Sequence, residues 1–212
     1  MSLDNLSDIL WRNQGQVLTP ELIVGILQGA AYQPARFIDY TNIKPYKYGK
    51  YIFHVERYAS ALEELKPLHA AHWQETEKYR HELPLNPDYA GFIAQDRAGM
   101  LVLFTIRKDG ELVGQSTMKI FSSMHSQTLV ANEDSLFLRQ DHRGGFMIMR
   151  FIRYMDMVLT ALGVREVRVS SKTVNGADKL MIRAGFKPFA IQLVKFLGVP
   201  SDGNTDETKT TL

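Results

Sequence analysis

The chain has 212 residues, 45% of them hydrophobic, with 25 basic against 23 acidic side chains and a formal charge of +2. That is enough apolar material for one compact core rather than two, and too little net charge to call for a nucleic-acid polyanion or a membrane surface as partner. The absence of cysteine rules out a disulfide framework, a thiolate zinc site and a thiol nucleophile, and suits a reducing cytosol.

In chain order, Leu3, Leu6, Ile9 and Leu10 fall at helical spacing within MSLDNLSDILWRN, a stretch with neither a basic start nor a continuous apolar run. Nowhere do about eighteen apolar residues follow one another, so a soluble, cytoplasmic protein is expected. Thr19-Pro20-Glu21 reads as N-cap, first-turn proline and acidic first turn of a second helix ending near Gly29. After the connector TNIKPYKYGK, Tyr51 to Val55 alternates like a strand. Residues 60–80 are helical in composition, with Pro67 expected to break or kink the helix. PLNPDYAGF interrupts the pattern. Met100 to Ile106 and Leu112 to Phe121 form a hairpin about Lys108-Asp109-Gly110. Ser135 to Leu138 is a strand leading into Arg143-Gly144-Gly145 and a long helix carrying Ile148, Ile152, Met155, Leu159 and Leu162, closed by Gly163. A strand at Val167 to Val169, a helix over 176–184 and a last strand from Phe189 to Phe196 complete the order. The tail SDGNTDETKTTL is polar. These elements predict an α/β (α+β) domain over 50–198 around a mixed, mostly antiparallel sheet flanked by helices, with a helical extension over 1–49 and a tail over 199–212.

A strand feeding a glycine turn and then a helix presents unpaired N–H groups at the positive end of a helix dipole, which is a site for phosphate. Arg143-Gly144-Gly145 occupies that junction. It is neither a Walker loop, since no GK[ST] follows, nor the G-x-G-x-x-G of dinucleotide folds. An isolated Gly-Gly also serves as an ordinary turn.

The surrounding order resembles the GNAT superfamily of N-acetyltransferases, tailed-bacteriophage members in particular, over about residues 50–197. The family pattern V-x-P-x-x-R-G-x-G-x-G/A corresponds to Leu138 through Ile148. Arg143 and Gly144 match it, and Phe146 and Ile148 stand where small residues are usual. The later signature is met by Ala177, Leu180, Arg183 and Gly185-Phe186, with Met181 at the tyrosine position and Asn175 one place from the usual asparagine. His72-Trp73, Pro84 through Tyr89, Phe104 through Gly114 and Glu133-Asp134 extend the likeness.

The resemblance implies transfer of an acetyl group from acetyl-CoA to an amine by direct attack, with no covalent enzyme intermediate and no metal. The backbone of Leu136, Phe137 and Leu138 would pair with the pantetheine arm, amides of Arg143, Gly144, Gly145, Phe146 and Met147 would hold the pyrophosphate, and Asn175 would join the cofactor site. Glu133 is the first choice of general base and His125 the second. Met181 cannot donate a proton, which leaves water or the hydroxyl of Ser170 or Ser171 for the departing thiolate. His72, Trp73 and Tyr79 would border the acceptor cleft. The acceptor is an amine of a small molecule or a protein, a host protein if the chain acts in an infected cytoplasm, and a homodimer stays open. Two alternatives remain: an inactive module of the same fold that grips a host protein, and acetylation of aminoacyl-tRNA.

Three further groupings have plainer readings. His69, His72 and Glu75 share helical spacing suited to a metal, yet read better as packing residues. Lys44, Lys47 and Lys50 among Tyr46, Tyr48 and Tyr51 are too few for a nucleic-acid surface. Arg150 and Arg153 read as a solvated helix face.

Overall fold

A computed structural model describes residues 10–11, 13–31, 38, 40, 42–77, 84–171 and 176–192. Six strands form one sheet in the order of the sequence: β1 (Tyr46–Tyr48), β2 (Tyr51–Glu56), β3 (Leu101–Lys108), β4 (Glu111–Ser122), β5 (Leu129–Leu138) and β6 (Val164–Arg168). The first five pair antiparallel and β5 pairs parallel with β6. This is the mixed, mostly antiparallel sheet that the sequence predicts.

Thr19 opens helix α1 (Pro20–Ala31): its Oγ1 accepts the Leu22 N–H at 3.2 Å and its carbonyl the Ile23 N–H at 2.9 Å. The helix passes through Gly25 and through Gly29, the expected end, because each interior glycine costs only about 1 kcal/mol. Of the connector that follows, Tyr46–Tyr48 is a strand. Tyr46 stacks on Phe53 and Tyr154 at 5.9 and 6.3 Å, and this ring packing, invisible as periodicity in three residues, holds it to the sheet edge. Ile38 and Tyr40 are also buried in the main core.

Helix α2 (Tyr58–His72) runs unbroken through Pro67. Tyr58, Ala61, Leu65 and Leu68 are buried along one face, and that tertiary packing outweighs the roughly 3 kcal/mol a mid-helix proline costs. Its N-terminus has no cap from its own chain neighbours; the buried Asp96 carboxylate accepts the Tyr58 N–H at 3.1 Å instead. A five-residue π turn, Trp73–Glu77, continues α2. Where PLNPDYAGF suggested only a break, helix α3 (Tyr89–Arg97) forms, capped by Asp88, whose Oδ1 accepts the Gly91 N–H at 2.8 Å. The prolines thus precede a helix rather than exclude one.

The β3–β4 hairpin turns at Asp109 and Gly110, both with positive φ (51° and 90°), the two-residue turn whose twist suits antiparallel strands. Helix α4 (Met147–Ala161) buries Met147, Phe151, Ile152, Tyr154, Met155, Val158 and Leu159 against one face of the sheet. On the other face α2 and α3 close a second cluster around Leu101, Leu103, Leu112 and Phe137. Alternate residues of β3 therefore serve two cores, and Leu101 to Ile106 are all buried. Helix α5 (Ala177–Arg183) follows β6. The strand expected from Phe189 is not formed over 189–192: Phe189 and Ile191 are 91% and 87% exposed, and alternation makes a strand only where a neighbour takes its amides. Residues 193–196, residues 1–9 and the tail from 199 lie outside the described residues. No described helix is long and apolar enough to cross a membrane.

Candidate functional site

The sheet parts at one end. Parallel pairing of β5 with β6 stops at Asn132↔Arg168, while pairing of β5 with β4 continues to Leu138↔Gly114. From Glu133 to Leu138, β5 therefore has a strand on one side and, among the described residues, none on the other, leaving edge N–H and C=O groups for an extended ligand. β5 begins at Leu129, six residues before the expected Ser135; the polar run Asn132-Glu133-Asp134 hid its first half from a hydrophobicity reading. β6 likewise starts at Val164 rather than Val167.

A bulge sits where the strands diverge. Ser135 opposes Thr117 and Glu133 opposes Met118, so Asp134 is the extra residue. Glu133 lines a cavity of about 10 Å³ with Met155, Asp156, Met181 and Phe186, and its Oε2 accepts the Ser170 N–H at 3.2 Å, bridging the gap just past the last β5–β6 pair. Burial pushes the Asp156 carboxyl up from its ordinary value. Asp134 instead pairs with Lys119 at 2.5 Å and acts electrostatically on Tyr58 and His69 of α2.

Beyond the bulge lies a cleft of about 370 Å³ walled by Leu136, Phe137 and Leu138 of β5, by Arg143, Gly144, Gly145 and Ile148, and by Gly176, Ala177, Leu180 and Met181 around α5. Glu75 and Thr76 of the π turn close its other side. Six of the expected cofactor residues are thus brought together. Phe146 stands at the N-cap of α4, 72% exposed, and Met147 turns its side chain into the core. Asn175 and Tyr79 lie outside the described residues.

The start of α4 has the chemistry of an anion cradle. The Arg143 N–H is spent on the Gln140 carbonyl (3.1 Å) and the Met147 N–H on that of Gly144 (3.4 Å). Among the described residues no backbone acceptor serves the amides of Gly144, Gly145, Phe146, Ile148 or Met149, and no side chain caps the helix. Gly145 has φ +54°, which turns successive amides toward a common point at little cost only for glycine. Arg143 folds back across this end: its Nε donates to the Leu138 carbonyl at 2.7 Å and its guanidinium lies 5.3 Å from the Phe137 ring centre. Its two terminal nitrogens donate to both carboxylate oxygens of Glu75, at 2.6 and 2.8 Å, which holds the Glu75 carboxyl below the usual range.

His72 ends α2 with its ring 5.3 Å from that of Phe137, and Trp73 follows, half-buried. His69 does not join them at the cleft: it stacks on Tyr89 at 5.8 Å, and burial lowers its imidazole to about 4. His125 lies on the exposed turn joining β4 to β5, at the opposite end of β5 from Leu138, roughly 30 Å of strand away. Glu133 thus lines the small cavity that shares Leu136 and Met181 with the cleft, and His125 lines neither. Glu75, Thr76 and Asp156 were not selected as site residues from the sequence, and Ser170, considered there for its hydroxyl, meets Glu133 through its backbone N–H instead. Glu75 was considered there only as a metal ligand, and nothing local in the sequence pairs it with Arg143, 68 positions later.

No family model matches the sequence, and no curated protein does. Solved structures do match the fold. An aminoglycoside acetyltransferase, meta-AAC0020 from an uncultured soil metagenomic sample, superposes with a TM-score of 0.56 at 15% identity, covering 71% of this chain and 96% of its own. A ribosomal-protein-alanine N-acetyltransferase from Brucella melitensis biovar Abortus 2308 gives 0.54 at 16% identity, covering 69% and 99%. The chain has the GNAT acetyltransferase fold. A third structure of that fold, AAC(6')-Iy, was solved with the bisubstrate analog CoA-S-monomethyl-acetylneamine; it matches with a TM-score of 0.54 at 17% identity, over 70% of this chain and 99% of its own. In this GNAT fold the parted strands and the glycine turn lie at one end of the sheet, and Met181, 8% exposed, stands between the cleft and the cavity beside Glu133.

Proposed function

We propose that the chain is an acetyl-CoA-dependent N-acetyltransferase acting on the amine of a small molecule or protein. One observation carries the reading: the free edge of β5 past Asn132 runs directly into a helix start whose amides are unspent. Acetyl-CoA is an extended amide-bearing arm ending in a diphosphate, and the residues present fit both parts. Edge groups of Leu136 to Leu138 would pair with the arm as a strand pairs. The amides of Gly144, Gly145 and Phe146, with the dipole of the fifteen-residue α4 behind them, would hold the diphosphate. Bound there, the group supplies an activated acetyl thioester.

The chain's own part is to bind, orient and move protons. Glu133, at the point of divergence, would accept a proton from the acceptor's ammonium, directly or through a water, so that the neutral amine attacks, while the Ser170 N–H fixes the carboxylate. The Met181 thioether offers no proton, and the Ser171 hydroxyl, buried just past β6 without a partner among the described residues, would supply it to the thiolate. His72 and Trp73, at the end of α2 beside Phe137, would border the acceptor's approach.

Acetyl-CoA at 1 mM should raise the melting temperature, because a ligand of the folded state stabilises it. No shift would remove the reading. With binding in hand, thiol release in the presence of pooled polyamines, aminoglycosides and peptides reports turnover. Glu133→Gln should lower kcat by about 100-fold with KM for acetyl-CoA little changed. An unaltered kcat would remove Glu133 as base. Binding without thiol release from any amine would favour the inactive-module reading, to which Met181 lends support.

A further inference from the structure

We propose that Glu75 is an anionic latch on the mouth of the cleft, competing with the ligand's diphosphate for the Arg143 guanidinium and so setting the site's affinity for phosphate-bearing acyl carriers. The inference rests on reading the cleft as an acyl-CoA site and concerns how that site is controlled.

Three features of the structure carry it. The first is where Glu75 comes from. It sits on the π turn Trp73–Glu77, whose widened geometry follows directly from the last turn of α2. Thr76, 8% exposed, donates its hydroxyl to the His72 carbonyl at 2.9 Å and so anchors the turn, while its neighbour Glu75 lines the cleft. The second is what Glu75 holds. Both oxygens engage Arg143, whose Nε is already committed to the carbonyl of Leu138 and whose plane lies near the Phe137 ring. The guanidinium is thereby fastened at the place where β5 ends and the unspent amides begin. The third is that the pair can be broken. Both side chains are 39% exposed, so water replaces either partner readily, unlike a buried pair.

A diphosphate seated on the amides of Gly144, Gly145 and Phe146 would lie one to three residues from Arg143 and within a Debye length of the Glu75 carboxylate. Two anions then contend for one cation. Arg143 gains by turning to the ligand, and Glu75, left without its partner, is repelled. The carboxylate thus opposes entry of the charged carrier while leaving an uncharged pantetheine arm unaffected.

The test uses the full chain as Glu75→Gln and Glu75→Ala beside the parent, with melting temperatures of the free proteins confirming that each is folded. Coenzyme A is titrated by calorimetry at about 20 mM and about 500 mM salt, and pantetheine, which has no diphosphate, by NMR. The expected result is coenzyme A binding tighter by about five-fold in both variants at low salt, with the gain shrinking below about two-fold at high salt. Pantetheine affinity should not change. Coenzyme A affinity that is equal or weaker in both variants would overturn the latch. So would equal tightening toward pantetheine, which would mean that the side chain merely blocks space. Binding by the parent with no gain in the variants sinks the latch alone. No coenzyme A binding by any of the three proteins sinks the acyl-CoA reading and the latch with it.

Discussion

Gly114 on β4 lies opposite Leu138, the last residue of β5 and part of the cleft wall. An alanine Cβ there would meet Leu138 Cδ1 at 2.9 Å, the Phe137 carbonyl oxygen at 3.0 Å and Ile106 Cδ1 at 3.2 Å. Ordinary carbon contacts begin near about 3.5 Å. The two methyl groups can turn aside, but the backbone oxygen moves only if β5 moves. Overpacking of this kind costs about 1–3 kcal/mol, and the stiffer unfolded chain returns about 0.4–1 kcal/mol, so Gly114→Ala should lose about 1–2 kcal/mol net. In a domain of this size that lowers Tm by roughly 2–8 °C. Displacing the Phe137 and Leu138 backbone by a few tenths of an ångström should also weaken coenzyme A binding by about three- to ten-fold, if the arm pairs with that edge as proposed. Urea unfolding measures the first effect and a coenzyme A titration the second. An unchanged stability would refute the packing argument; a loss of stability with unchanged affinity would refute the assignment of this strand end as the ligand's wall.

Two further perturbations probe the frame behind the cleft. Asp96→Ala should cost about 2–5 kcal/mol, because it strands the Tyr58 N–H and the Tyr40 hydroxyl, both of which donate to the buried carboxylate. Chemical denaturation showing a loss below about 1 kcal/mol would contradict that account. His69 gives a pH signature. Burial holds its imidazole at about 4 in the folded protein against 6.5 ordinarily, so between those values the unfolded chain binds the proton and the folded chain does not. Its contribution is therefore fully present above pH 6.5 and is lost as pH falls toward 4, by about 2–3 kcal/mol. Tm measured from pH 7 to pH 4 should fall less steeply in His69→Phe, and parallel profiles would reject the assignment.

Much of the frame could be read from local sequence. The Thr19-Pro20 start, the Asp109-Gly110 hairpin, the buried stripe of α4 and the glycine turn before it depend on the nearest few residues, where propensity, capping and turn chemistry act directly. Where local rules conflicted with packing, packing prevailed: α2 runs through Pro67, and Asp88 starts a helix among prolines. The site divides along the same line. Leu136 to Leu138 and Arg143 to Gly145 are contiguous enough to be recognised as a strand entering an anion cradle. The proposed class of site was already legible in the sequence by itself, because phosphate recognition by a helix start is a local property of backbone.

Only the tertiary structure decided what surrounds that cradle. Separation of β5 from β6 after Asn132, the bulge that makes Asp134 the extra residue, the Ser170 contact of Glu133, the distance of His125 and the Glu75–Arg143 bridge all join residues far apart in the chain. Such contacts are set by the register of strands and the seating of α2 on the sheet, not by the chemistry of neighbouring residues. A one-residue slip in register would turn Glu133 to the other face, and nothing in the sequence near it would look different.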